Sequence, residues 1–259
     1  MRRFATHLIA AGILLAFPGS TNADSLKPSK KDQLSLGKRV ATDIRKKERI
    51  VSDSDPKVVK LREIAKKLIE ATPLTKDEPW EFSFDIVTDK SLNAFALPGG
   101  PIFFHSALYD KFLTEDQIAG VLAHEMIHIR KEHWASSYAD QVKRSLGITI
   151  VLVLLRANRT ATDIASISND LLLTLPFSRR HESESDMIGL EAMIKAGYNP
   201  QGMADAFKIL AEGRKGSKPP EFLSTHPDID KRIKRIEENI AKQTISFRPQ
   251  VPLAWAQSS

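Results

Sequence analysis

An α+β domain built mostly of helices is the fold class this sequence predicts, and three observations carry it. Residues 57–71 repeat Val58, Leu61, Ile64, Ala65 and Leu68 at helical spacing, which makes one apolar stripe. Residues 81–88 instead alternate apolar and polar side chains, the pattern of a half-buried strand. From Thr114 helical patterns dominate to Ile240, and no internal repeat interrupts them.

Taken in order, residues 1–23 read as a secretory signal: Arg2 and Arg3 form a basic end, residues 8–17 an apolar core, and Thr21-Asn22-Ala23 a small-residue cleavage site. That core is about ten residues long, half of what a bilayer span requires. Cleavage would leave about 236 of the 259 residues and lower the net charge from +6 to +4. Such a length suits one domain with a substantial core. Residues 24–55 form a basic segment, helical over 34–49; residues 56–240 hold the main domain; residues 241–259 are a tail, expected to be loose from Phe247 onward. The chain has no cysteine, which excludes disulfides and a lipid-bearing thiol. Secretion without lipidation points to the periplasm of a Gram-negative bacterium. An apolar run at 147–155 is too short to span a membrane and is read as a core helix or a contact patch. Lys and Arg are scattered or alternate with Glu, so the sequence predicts no nucleic-acid site and at most peripheral attraction to a membrane.

The chemistry concentrates in His124-Glu125-Met126-Ile127-His128, within residues 114–133, which read as one helix. Residues four apart on a helix lie one above the other. His124 and His128 can therefore offer two imidazoles to one metal ion, with Glu125 beside them to handle a water proton. This is the HExxH arrangement of zinc peptidases. Two surface histidines on an amphipathic helix would share that outline. Against this, Thr114 and Gln117 form a T-x-x-Q capping box, and Ile118, Val121, Leu122 and Ile129 define a buried side that Val121 continues towards His124.

Catalytic zinc takes three protein ligands. A continuation to H-E-x-x-H-x-x-G-x-x-H is excluded, because Lys131 and Trp134 occupy its last two defined positions. His133 falls one residue early, on another face, and is read as a surface or helix-end histidine. The better source is Ser178-Arg179-Arg180-His181-Glu182-Ser183-Glu184-Ser185-Asp186, opening a helix at 180–196 that Gly197 can close. Glu182 and Asp186 share a face, so Glu182 can bind zinc while Asp186 holds a ligating histidine; Glu184 points elsewhere, into solvent. Taken alone, that run could simply be a charged first turn favoured by the helix dipole.

HExxH followed by S-R-x-x-E-x-x-x-D resembles the gluzincin peptidases related to the CAAX prenyl protease and the HtpX-type heat-shock peptidase. Two further blocks agree: Asn93-Ala94-Phe95-Ala96-Leu97-Pro98-Gly99-Gly100, before a strand at 101–105, and Ser224-Thr225-His226-Pro227 before Arg232. One departure is Ser185, where relatives usually carry Ala. The resemblance implies a zincin-like fold with a small sheet or hairpin before the HExxH helix. It implies one Zn2+ held by His124, His128 and Glu182, with Glu125 as general base and acid and Asp186 behind a ligand. It further implies a substrate edge at Asn93, Gly99 and Gly100, and a mobile His226 that contacts the oxyanion or fills the open zinc position. The expected activity is endopeptidase cleavage of unfolded or misassembled envelope proteins, since strand addition is indifferent to side chains. A competing expectation is a latent, chaperone-like factor working with outer-membrane assembly machinery, its zinc blocked by His226.

Overall fold

The computed structural model describes residues 26–144, 175–216 and 219–254. The expected secretory signal at 1–23 and the apolar run at 147–155 lie outside these residues. Helix α1 (Lys30–Lys47) starts at a Ser29 capping box, and α2 (Pro56–Ala71) at Asp55, whose carboxylate accepts from the Lys57 N–H. The buried residues of α2 are the five of the expected stripe.

A three-stranded sheet follows, with β1 (Ser83–Val87), β2 (Ala94–Ala96) and β3 (Pro101–His105) in the order β1-β3-β2. β3 is central, parallel to β1 and antiparallel to β2, and every one of its residues is buried. Successive side chains of a strand point to opposite faces. Accordingly Ile102 and Phe104 join Phe84 and Ile86 in the main core with α2, while Phe103 joins Val40, Leu97 and Trp134 in a second cluster under α1.

A one-turn helix, α3 (Ser106–Tyr109), leads to α4 (Glu115–Arg130). The expected capping box is present: Thr114 Oγ1 accepts from the Gln117 N–H, and Gln117 Oε1 from the Thr114 N–H. The helix is buried on all sides rather than on one stripe, from Asp116 to Ile129. It packs between α6 (Arg179–Lys195) and α7 (Gln201–Gly213) and against α2 and β2. Ser178 caps α6, and Gly197 ends it at φ 77°, with Tyr198 N–H bonded to Met193 O and Gly197 N–H to Ile194 O. The single helix expected over 114–133 is in fact broken: Glu132 turns left-handed at φ 53°, and α5 (His133–Arg144) starts a new direction. Glu132 is held there by Gln33 Nε2 at 2.7 Å. The short α8 (Phe222–Thr225) and α9 (Ile229–Ala241) complete the described elements.

The C-terminal segment is not loose up to Leu253. Buried Asp116 accepts from the Val251 N–H at 2.7 Å and pairs with Arg248 at 2.8 Å, Thr114 bridges to Pro252, and Leu253 is fully buried in the main core. An acidic side chain in the first turn of α4 thus fastens the segment that follows α9.

Candidate metal centre

Helix α4 brings His124 and His128 one turn apart, and their Nε2 atoms stand 3.0 Å from each other. From α6, Glu182 places Oε1 3.4 Å from His128 Nε2 and Oε2 3.8 Å from His124 Nε2. His226, the residue closing α8, places Nδ1 3.3 Å from His124 Nε2 and 3.2 Å from Glu182 Oε1. All four residues are buried, and one ligand atom from each lies within 4.8 Å of every other. Tetrahedral zinc with bonds of 2.0–2.2 Å sets its ligand atoms about 3.3 Å apart, so the spacing and the nitrogen-and-carboxylate donor set fit that ion.

The surroundings hold each ligand in the form a metal needs. Burial pushes His124 down to about 4, with Arg232 adding to the effect, and His128 well below its ordinary value. Both imidazoles are therefore neutral lone-pair donors at neutral pH. Burial alone would raise Glu182, but Arg232 and His226 outweigh it and keep the carboxylate ionised. Glu125, pushed up to about 7 by burial, keeps Oε1 without a hydrogen-bond partner, 3.5 Å from His226 Nε2. Its carboxylate lies against the Ala96 N–H of β2.

Asp186 lies with Oδ1 3.0 Å from His124 Nδ1. Arg232, which the sequence marks only as following the T-H-P block, is buried at the centre, paired with both Glu182 and Asp186. Its separation of 46 residues or more from its partners leaves no local signal; only a buried cation beside two carboxylates reveals it. His133 is corrected: it is 2% exposed, its Nδ1 is 3.1 Å from His128 Nδ1, and its ring stacks on His181 at 4.4 Å. The break at Glu132, invisible to helical periodicity, turns it inward. Glu184 is corrected too, since Oε2 faces His133 Nε2 at 3.4 Å. Ser185, the departure from the usual Ala, is buried with Oγ 3.2 Å from His133 Nδ1.

The edge expected at Gly99 and Gly100 is not open. Gly99 and Gly100, at φ 90° and 140°, are buried against α1 and residue 81, and their carbonyls already accept from the Glu81 and Ser83 N–H groups. They therefore offer nothing to an added strand. The open edge is β2. Its bonds to β3 run through Asn93 O and Leu97 N–H, so the ladder alternation turns the backbone groups of Ala94 and Ala96 outward. A cleft of about 390 Å³ runs along this edge, lined by Asn93, Phe95, Ala96, Glu125, Phe177 and His226 among others. Asn93 Nδ2 reaches Glu221 Oε2 at 3.4 Å.

The sequence pattern of Peptidase family M48 matches residues 57–240, a span holding all four motif blocks. The beta-barrel assembly-enhancing protease of Escherichia coli (strain K12) is 34% identical over 161 residues, covering 59% of this chain and 33% of that protein. The mitochondrial metalloendopeptidase OMA1 of Schizosaccharomyces pombe is 32% identical over 216 residues, covering 79% of this chain and 61% of its own length. OMA1 of Arabidopsis thaliana is 29% identical over 198 residues, 76% of this chain and 39% of that one. The chain thus spans about a third of the first relative and about three fifths of the second. With its motifs, its buried cluster and the matched span in agreement, the chain belongs to Peptidase family M48.

Proposed function

We propose that the protein is a zinc-dependent endopeptidase of the cell envelope that cleaves unfolded or misassembled proteins. The observation that carries this reading is the meeting of three donors with a buried carboxylate that has one oxygen free of hydrogen bonds: His124, His128 and Glu182 converge, and Glu125 lines the cleft beside them. Within the family, the N-A-F-A-x-P-G-G and T-H-P blocks favour the CAAX-prenyl-protease and HtpX-like branch. The basic and apolar residues of 1–17 support the periplasm, and among the described residues no helix is long and apolar enough to cross a membrane.

His124, His128 and Glu182 would hold the ion. Zinc would supply a Lewis acid for the scissile carbonyl and make hydroxide available near neutral pH. Glu125 takes the proton from the attacking water and passes it to the leaving amine, a task suited to a carboxyl raised towards 7. The outward backbone groups of Ala94 and the Ala96 carbonyl would hold the substrate as an added strand, which explains tolerance of sequence and a need for extended chain. Glu125→Gln should retain one zinc per chain and lose cleavage of unfolded casein; cleavage at the parent rate would overturn the assignment. Glu182→Ala should lower zinc content.

A second reading, a latent factor that binds assembling outer-membrane proteins and seldom cuts them, is favoured by the placing of His226. Its Nδ1 completes a set of four, and zinc with four protein ligands has no place for substrate. We combine the two readings: the resting site is closed by His226, and cleavage follows its displacement.

A further inference from the structure

We infer that His133 is a positioning residue of the metal centre, accepting a hydrogen bond from His128 that directs the His128 Nε2 lone pair into the cluster. This rests on the reading of His128 as a zinc ligand.

An imidazole that gives Nε2 to a metal carries its proton on Nδ1, and that proton needs an acceptor when the ring is buried. For His124 the acceptor is Asp186 Oδ1, 3.0 Å from its Nδ1. Among the described residues no carboxylate pairs with His128 Nδ1. Among the described residues the atom facing His128 Nδ1 is His133 Nδ1, at 3.1 Å. Two facing ring nitrogens share only one proton, and a metal held on His128 Nε2 would leave it on His128 Nδ1. His133 must therefore present a bare Nδ1 and carry its own proton on Nε2.

The surroundings of His133 agree with that tautomer. Its Nε2 faces Glu184 Oε2 at 3.4 Å, an acceptor for the proton, and Lys131 Nζ lies 3.6 Å from the other oxygen of the same carboxylate. Ser185 Oγ lies 3.2 Å from His133 Nδ1, and a hydroxyl proton turned towards it would share the one lone pair that His128 uses. The ring is fixed by its stacking on His181, with interplanar angle 13°, and by the left-handed Glu132 that aims α5 inward. The line from Glu184 through His133 to His128 matches in role the line from Arg232 through Asp186 to His124. One histidine ligand leans on a charged acceptor and the other on a neutral one. A neutral acceptor spares the site a further buried negative charge beside Glu125, Glu182 and Asp186.

The test measures zinc binding and the His133 tautomer, not cleavage. In full-length protein carrying Glu125→Gln, zinc affinity is read by chelator competition and the site is followed by cobalt(II) absorption. His133→Phe fills the ring volume without an acceptor and should weaken zinc about 10–100-fold. His133→Gln restores a carbonyl acceptor and should return affinity to within about threefold of the parent, with the cobalt spectrum recovered. Histidine-selective 15N NMR of the zinc-loaded parent should show His133 protonated at Nε2 and bare at Nδ1, a result available even if the Phe variant does not fold. Parent-like affinity in His133→Phe, no rescue by Gln, or a proton on His133 Nδ1 would overturn the inference. A parent that binds no zinc would instead overturn the peptidase reading, and this inference with it.

Discussion

Asp186 receives Arg232 through two parallel hydrogen bonds, Nη2 to Oδ1 at 2.6 Å and Nε to Oδ2 at 2.9 Å, both residues being buried. The same Oδ1 faces His124 Nδ1, so the pair determines how that histidine is turned. The guanidinium also lies over the Phe207 ring and pairs with Glu182. Burial would raise Asp186, yet Arg232 holds it down at about 2.

Removing that cation leaves buried Glu182 without a guanidinium partner and Asp186 with Arg235 alone, at 3.1 Å. Arg232→Met should destabilise the fold by about 3–5 kcal/mol, because an uncompensated buried charge costs far more than the intact pair contributes. Arg232→Lys keeps the charge but cannot form the two-pronged bond, and should fall between Met and the parent. Equilibrium urea unfolding of the metal-free proteins measures all three; a Met variant as stable as the parent would show the cluster needs no cation.

Where α4 crosses α7, a Cβ on Gly120 would stand 2.5 Å from Met203 Cα. That neighbour is backbone and cannot swing aside. Gly120→Ala should therefore cost about 1–3 kcal/mol despite the better helix propensity of alanine. Since Gly120 lies one turn before His124, the displaced helix should also weaken zinc binding. Melting temperature and zinc titration check the two effects.

At the other end of α4, Arg130 grips both oxygens of Glu78, at 2.7 and 3.0 Å, and ties the helix to the segment after α2. The bond from Arg130 lowers Glu78 from 4.5 to about 2. A carboxyl depressed on folding adds stability that is complete above its unfolded value and disappears as pH falls from 4.5 towards 2. The pair is partly exposed, so its worth is about 1 kcal/mol. Glu78→Gln should lose that amount at pH 7 and should show a correspondingly smaller loss between pH 5 and 2, as read by urea midpoints across that range.

Much of the site was legible because its signals are local. Helical spacing placed His124 above His128, and the Thr114 and Gln117 box marked where their helix begins. The same spacing gave Glu182 and Asp186 a common face, though only the fold shows that this face meets α4. What escaped depends on backbone events or on distance along the chain. A left-handed Glu132 moved His133 from surface to interior, and Gly99 and Gly100 were claimed by a neighbouring segment rather than left at an edge. Arg232 and Leu253 reach their partners across long stretches of chain that no periodicity links.

His226 offers a direct contest between closure and catalysis. Its ring stacks on Phe222 at 4.0 Å and 16°, with Nδ1 aimed at the ligand cluster and Nε2 at Glu125. Nδ1 is thus committed to the closed arrangement, and His124, His128 and Glu182 remain when His226 is removed. His226→Ala should keep one zinc per chain and cleave casein faster. If the open form makes up about a tenth of the resting population, the gain is about tenfold. Slower cleavage with zinc retained would instead give His226 the oxyanion, and unchanged cleavage would mean the fourth nitrogen neither blocks the site nor serves it.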